Sequence, residues 1–125
     1  EYGVCYLRVK HMIIMGHSRC GGIRSLMTRM LDDFDPSHPM DEWTSVAEPI
    51  ARKVMEREGL EDLDDKVCAC SRETLALGLD NLKTYPWVKA AVDAGEMSLH
   101  AWYFNMSTGG LEKLDPDTGT FSILS

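Results

Sequence analysis

Residues His11–Met15 ("HMIIM") form a short, continuous apolar run closed by Gly16, the pattern of a strand buried on both faces of a parallel sheet. Beyond Gly21 and Gly22 the apolar positions change period: Ile23, Leu26, Met27, Met30 and Leu31 recur as on one face of a helix. The plan is therefore strand, glycine-bearing turn, helix. Upstream, Tyr2–Val9 reads as the end of a helix. Downstream of the acidic, proline-bearing "DDFDPSHPMDEW", a helix is expected from Asp41 to Glu58, stopped by Gly59. Val67–Cys70 is a weak strand candidate. Ser71–Lys83 reads as a helix with Leu75, Leu79 and Leu82 on one face, and Pro86 opens a short helix closed by Gly95. "MSLHAWYFNM" (97–106) alternates and is rich in aromatics, the mark of a strand, and the glycine-punctuated remainder supplies two short strands in a terminal hairpin.

These elements amount to an α/β fold: a parallel-core sheet flanked by helices, with a C-terminal antiparallel strand and hairpin. A parallel strand needs neighbours that cross over to reach it. Few lie within this chain, and Glu1 opens a helix without a cap. The expectation is that residues 1–125 are the C-terminal part of a single domain whose N-terminal part is missing.

Composition narrows the partners. Thirteen basic residues against twenty acidic ones give a net charge of −7, which disfavours nucleic acid. "LEDLDD" (60–65) and "DDFD" (32–35) read as solvated loops. No apolar stretch approaches the ~20 residues of a membrane span. The four cysteines (Cys5, Cys20, Cys68, Cys70) do not form the framework of a small secreted domain, so a reducing cytoplasm is expected.

The chemistry concentrates in "IIMGHSRCGGI" (13–23), where His17 and Cys20 stand three positions apart at the strand's carboxyl end. Such ends are where α/β sheets place their sites. Cys20 would lie near a helix N-terminus, where free N–H groups and the dipole favour a thiolate. A cysteine nucleophile in a phosphate-type loop would need an arginine six positions on; that position is Leu26, and Arg24 comes too early. A metal suits the pair better, because zinc takes imidazole nitrogen at ~2.0–2.1 Å and thiolate sulfur at ~2.3 Å. The turn supplies only two donors. Cys5 is expected in the core, Cys68 and Cys70 at a strand end and a helix start, and Trp102 and Tyr103 in packing. His11, His38 and His100 are expected to be structural or solvated.

"VKHMIIMGHSRCGGIRSLM" (9–27) resembles the second zinc-binding segment of the β-class carbonic anhydrases, G-H-x-x-C-G-G after a buried strand. Residues 71–121, with "NL", "YPWV" and "LHAWYFNMSTG", are similar to the C-terminal half of that family, and Trp43 falls where its middle helix often carries a tryptophan. The resemblance implies that His17 and Cys20 are two of three protein zinc ligands, and that Gly21 and Gly22 let the backbone approach the metal. It implies reversible hydration of carbon dioxide to bicarbonate, the zinc lowering the pKa of water towards ~7. It also implies a homodimer or tetramer. The family's other signature, C-x-D-x-R, lies well upstream and brings the third ligand and an Asp–Arg pair. Only sixteen residues precede His17, so no catalytic residue of that segment stands here, and the isolated chain is expected to be inactive. "CACSR" (68–72) does not replace it, since it lies downstream and lacks the carboxylate. Two other readings stay open: a zinc hydrolase of carbonyl sulfide or carbon disulfide on the same fold, and a non-catalytic zinc-binding or interaction module.

Overall fold

A computed structural model describes residues 1–32, 37 and 39–125. Asp33, Asp35 and His38 of the acidic connection lie outside the described residues. Two compact units emerge, Glu1–Gly16 with Leu75–Ser125, and His17–Thr74.

The first unit holds a four-stranded sheet in the order β1 (His11–His17), β2 (Ser98–Asn105), β3 (Gly110–Leu114), β4 (Phe121–Ile123). β1 and β2 run parallel, and the other two pairs are antiparallel, in register at Trp102 with Lys113 and Leu114 with Phe121. The two hairpin turns share one construction. Asn105 Oδ1 accepts the N–H groups of Ser107 and Thr108, Asp115 Oδ1 accepts those of Asp117 and Thr118, and a left-handed glycine follows each, Gly109 (φ 73°) and Gly119 (φ 71°). Asp115 accordingly has its pKa lowered, first by the Asp117 N–H.

One face of this sheet is buried. Ala101, Tyr103 and Leu114 pack there with Leu75 and Leu79, and Ile14, Leu99 and Phe121 pack around them. The helix supplying the leucines, α4 (Leu63–Lys83), comes very close to β1. A Cβ on Gly16 would stand 3.1 Å from Leu75 Cδ1, and one on Gly78 would stand 3.0 Å from Ile14 Cδ1. Gly78 is helical and Ala would suit a helix interior better by about 1 kcal/mol, so close approach is the physical reason for glycine there. A third cluster joins Val4, Val88 and Met97, from the N-terminal turn, α5 (Pro86–Asp93) and the residue before β2.

The other face of β1 corrects the sequence reading. Exposure alternates along the strand, leaving Ile13 42% and Met15 58% exposed. Within this chain only one face of the run is covered, because among the described residues no helix packs on the other. The N-terminal helix is a single π turn, Tyr2–Tyr6, that buries only Val4, so Cys5 is exposed and not core.

The second unit packs Leu26, Met27, Ala47, Ala51, Val54, Val67 and Cys70 together. α1 (Gly21–Asp32) follows the predicted period. The single helix expected from Asp41 to Glu58 is divided into α2 (Pro39–Thr44), a 3-10 turn (Ser45–Ala47) and α3 (Glu48–Met55). Pro49 in the first turn of α3 explains the break, since its ring excludes the preceding turn of a continuous helix. Gly59 does turn the chain, at φ 82°.

α4 starts eight residues before the expected Ser71. Asp62 Oδ1 accepts the Asp64 N–H at 2.7 Å, and Asp64 and Asp65 sit in the first turn, where negative charge is favoured. The end of "LEDLDD" is therefore a helix start and not a loop, and Val67–Cys70 is helical, so Cys68 and Cys70 are helix-interior residues. Arg24 of α1 pairs with Asp64, and Arg57 grips Glu73 with two hydrogen bonds of 2.6 and 3.0 Å. Trp102 is half-buried and its Nε1 has no hydrogen-bond partner, whereas Tyr103 is fully buried and meets Phe121 edge-on.

Replacing Gly16 with Ala is expected to destabilise the protein by about 1–3 kcal/mol, because the new methyl group meets three atoms of the Leu75 side chain at 3.1–3.3 Å. Urea unfolding of the variant beside the parent measures this; unchanged stability would mean that Leu75 moves aside freely.

Candidate metal centre

β1 ends at His17, whose position on the alternating strand puts it on the exposed face. Three residues later the chain is helical. Arg19 makes the reversal possible by taking the left-handed conformation, φ 57°, which costs a non-glycine residue about 1 kcal/mol or more. Ser18 is buried beneath the turn. Cys20 stands at the start of α1, and its carbonyl accepts the Arg24 N–H at 3.0 Å, the first bond of the helix.

The imidazole of His17 is oriented by its own turn. Its Nδ1 lies 2.9 Å from the Ser18 carbonyl oxygen. A carbonyl oxygen can only accept, so Nδ1 carries the proton and the neutral ring has its lone pair on Nε2. That is how a metal-ligating histidine is commonly held, one nitrogen bound to a carbonyl and the other free for the ion.

Cys20 is half-buried. A Cβ on Gly22 would stand 3.3 Å from the Trp43 ring, 3.7 Å from Thr44 and 3.9 Å from Cys20 Sγ, whereas the space beside Gly21 is open. Gly22 therefore lets Trp43 of α2 lie against the first turn of α1, while the Cys20 sulfur stands at ordinary contact distance.

Cys70 faces the same region from α4. Burial pushes its thiol up to about 11, with Glu73 and Cys20 adding to the effect against a contact from the Thr74 hydroxyl. In the absence of a metal it is held as a neutral thiol at neutral pH. Among the described residues no group of three His, Cys, Asp or Glu side chains could hold a metal ion. His17 and Cys20 are an imidazole and a thiol, donor types that zinc takes, three positions apart in the turn. The sequence singles out His17 and Cys20 as candidate donors but gives no sign of the Ser18 carbonyl, a backbone group with no signature, nor of the placement of Cys70, which it puts at an element boundary.

A family model described as "Carbonic anhydrase" matches residues 1–111. The chain is 34% identical over 121 residues to "Carbonic anhydrase 1" of Escherichia coli O157:H7, an alignment covering 97% of this chain and 54% of that protein. It is 31% identical over 113 residues to "Beta carbonic anhydrase 6, mitochondrial" of Arabidopsis thaliana, covering 90% of this chain and 39% of that one. Among solved structures, the β-carbonic anhydrase CcaA superposes with a TM-score of 0.86 at 25% identity, over 100% of this chain and 56% of that chain. A tetrameric β-carbonic anhydrase from Sordaria macrospora shares the fold, with a TM-score of 0.74 at 24% identity over 98% of this chain and 58% of that one. Strand, turn and helix are those of a carbonic anhydrase of the β class. The chain belongs to that family, and it spans about half the length of the curated relatives it matches, or less.

The two kinds of cysteine should separate chemically. At pH 8 a thiol pushed up to about 11 is only about one part in a thousand thiolate, and Cys70 is also sealed from solvent. Alkylation by iodoacetamide, mapped by mass spectrometry, is expected to label the exposed Cys5 first and to leave Cys70 unlabelled until the protein unfolds. Early labelling of Cys70 would contradict its burial.

Proposed function

We propose that His17 and Cys20 are two of the protein ligands of a zinc ion, and that the protein of which this chain is part catalyses the reversible hydration of carbon dioxide to bicarbonate. The observation that carries this reading is the bond from His17 Nδ1 to the Ser18 carbonyl, which leaves Nε2 free to bind an ion. Family membership supplies the reaction class. Zinc, when bound, supplies the Lewis acidity that lets water ionise near neutral pH and add to carbon dioxide.

The chain's own residues have defined parts. His17 presents a neutral nitrogen whose direction is fixed by the turn. Cys20 presents sulfur from the beginning of α1. The remaining donors come from outside the described residues, as does any pair controlling the substrate position. The Sordaria enzyme is described as tetrameric, which supports an oligomer here as well. No helix among the described residues is long and apolar enough to cross a membrane, and four free cysteines accord with a reducing cytoplasm.

Elemental analysis of the whole protein tests the reading. Zinc is expected near one per chain, falling to near zero in His17→Ala and in Cys20→Ser, with carbon dioxide hydration falling more than about a hundredfold in both. The 125-residue chain alone should hydrate carbon dioxide at close to the uncatalysed rate. Full zinc content in both substituted proteins would overturn the assignment of the ligands.

A further inference from the structure

The exposed face of β1 carries a second histidine. His11 opens the strand, and beside it on β2 stands His100, with His11 Nδ1 and His100 Nε2 only 3.0 Å apart and open to solvent. The ring centroids are 5.2 Å apart and the planes are inclined by 42°. Two imidazoles can share a hydrogen bond only if at least one of the facing nitrogens has a lone pair. One neutral ring donates and the other accepts.

The separation has a second meaning. Two nitrogens bound at right angles to one ion, each ~2.0–2.1 Å away, lie ~2.9 Å apart. The facing nitrogens are already at that spacing. A modest turn of each ring would aim both lone pairs at a common point outside the sheet, and the proton now shared would sit on the donor ring's other nitrogen, so no charge is lost.

We propose that His11 and His100 form a two-imidazole site for a divalent late transition metal, Cu2+ above Ni2+ and Zn2+, with water completing the coordination. It is distinct from the His17–Cys20 centre. Imidazole is a good ligand for these metals, and copper leads the divalent series in affinity. His100 has its pKa lowered, by burial first and then by His11 and Lys113, which favours the neutral ring that a ligand needs. Lys113 opposes a cation locally, while the chain's net charge of −7 attracts one. Because the two ligands are brought together only by the pairing of adjacent parallel strands, the ion would bind the folded sheet more tightly than the unfolded chain, and so stabilise it.

Trp102 reports on the site, since its ring centroid is 6.4 Å from that of His100. The experiment is a titration of the His17→Ala/Cys20→Ser protein with Cu2+ at pH 7.5, a condition of about neutral imidazole, followed by tryptophan fluorescence and by the thermal midpoint. One equivalent is expected to quench the emission and raise the midpoint. His11→Ala and the conservative His100→Gln, each checked for folding by circular dichroism, should weaken binding at least about tenfold, because a chelate loses its second, effectively intramolecular ligand. Trp102→Phe should abolish most of the quenching while keeping the rise in midpoint. Undiminished Cu2+ affinity in either folded histidine variant would overturn the proposal, as would the absence of any rise in midpoint in the parent.

Discussion

The close contact of α4 with β1 sets the terms for the first unit. At Gly16 and Gly78 there is room for a hydrogen but not for a relaxed methyl group, so Leu75 and Ile14 fill the space that two side chains would otherwise occupy. Burying that face fixes the register of the strand, because a slip by one residue would turn every side chain over. The alternation then dictates what the outer face displays: His11, Ile13, Met15 and His17. The strand's chemistry is outward because its packing is inward. Both histidines discussed above owe their position to the demands of the opposite face.

The turn that follows sets His17 and Cys20 on either side of a tight reversal. Going from strand to helix within three residues requires a left-handed residue, and Arg19 provides it without being glycine. Energy stored there is offset by what the turn holds: a buried Ser18, a fixed imidazole and the opening hydrogen bond of α1. Cys20 and Cys70 show how far placement decides chemistry. Both are thiols of the same unit, but one begins a helix beside a glycine and the other lies sealed among aliphatic side chains, its proton retained.

Much of this was legible in the sequence wherever two signals agreed. β1, α1, α5, β2 and the hairpins each joined a clear period to a glycine or proline at the boundary. The His17–Cys20 turn was legible for the same reason, since a strand, two glycines and a helix enclosed it. Errors arose where one signal stood alone. Val67–Cys70 is too short a run for its period to separate strand from helix. The acids of Asp62–Asp65 look like loop by charge, yet charge of that sign also begins a helix. Pro49 lies inside a long polar helix pattern that masks the break it makes. The exposure of β1's outer face was not in the sequence at all, because an apolar run says nothing of whether a neighbour arrives to cover it.

His11 was set aside as structural or solvated for a related reason: its counterpart lies 89 positions away, beyond any local motif. The two outward histidines of β1 also differ in a way that no spacing reveals. A histidine's chemistry depends on what its other nitrogen touches. In His17 that nitrogen meets a carbonyl, which can only accept, so the neutral tautomer is settled with its lone pair on Nε2. In His11 the nitrogen meets another imidazole, which can accept or donate, so proton and lone pair can change places between the rings. The first arrangement suits a resident ion held in one geometry. The second suits an exchangeable one, because the site can fall back on its own hydrogen bond when the ion leaves. The two outward histidines of the strand thus differ in one partner atom, a carbonyl oxygen for His17 and a second imidazole for His11.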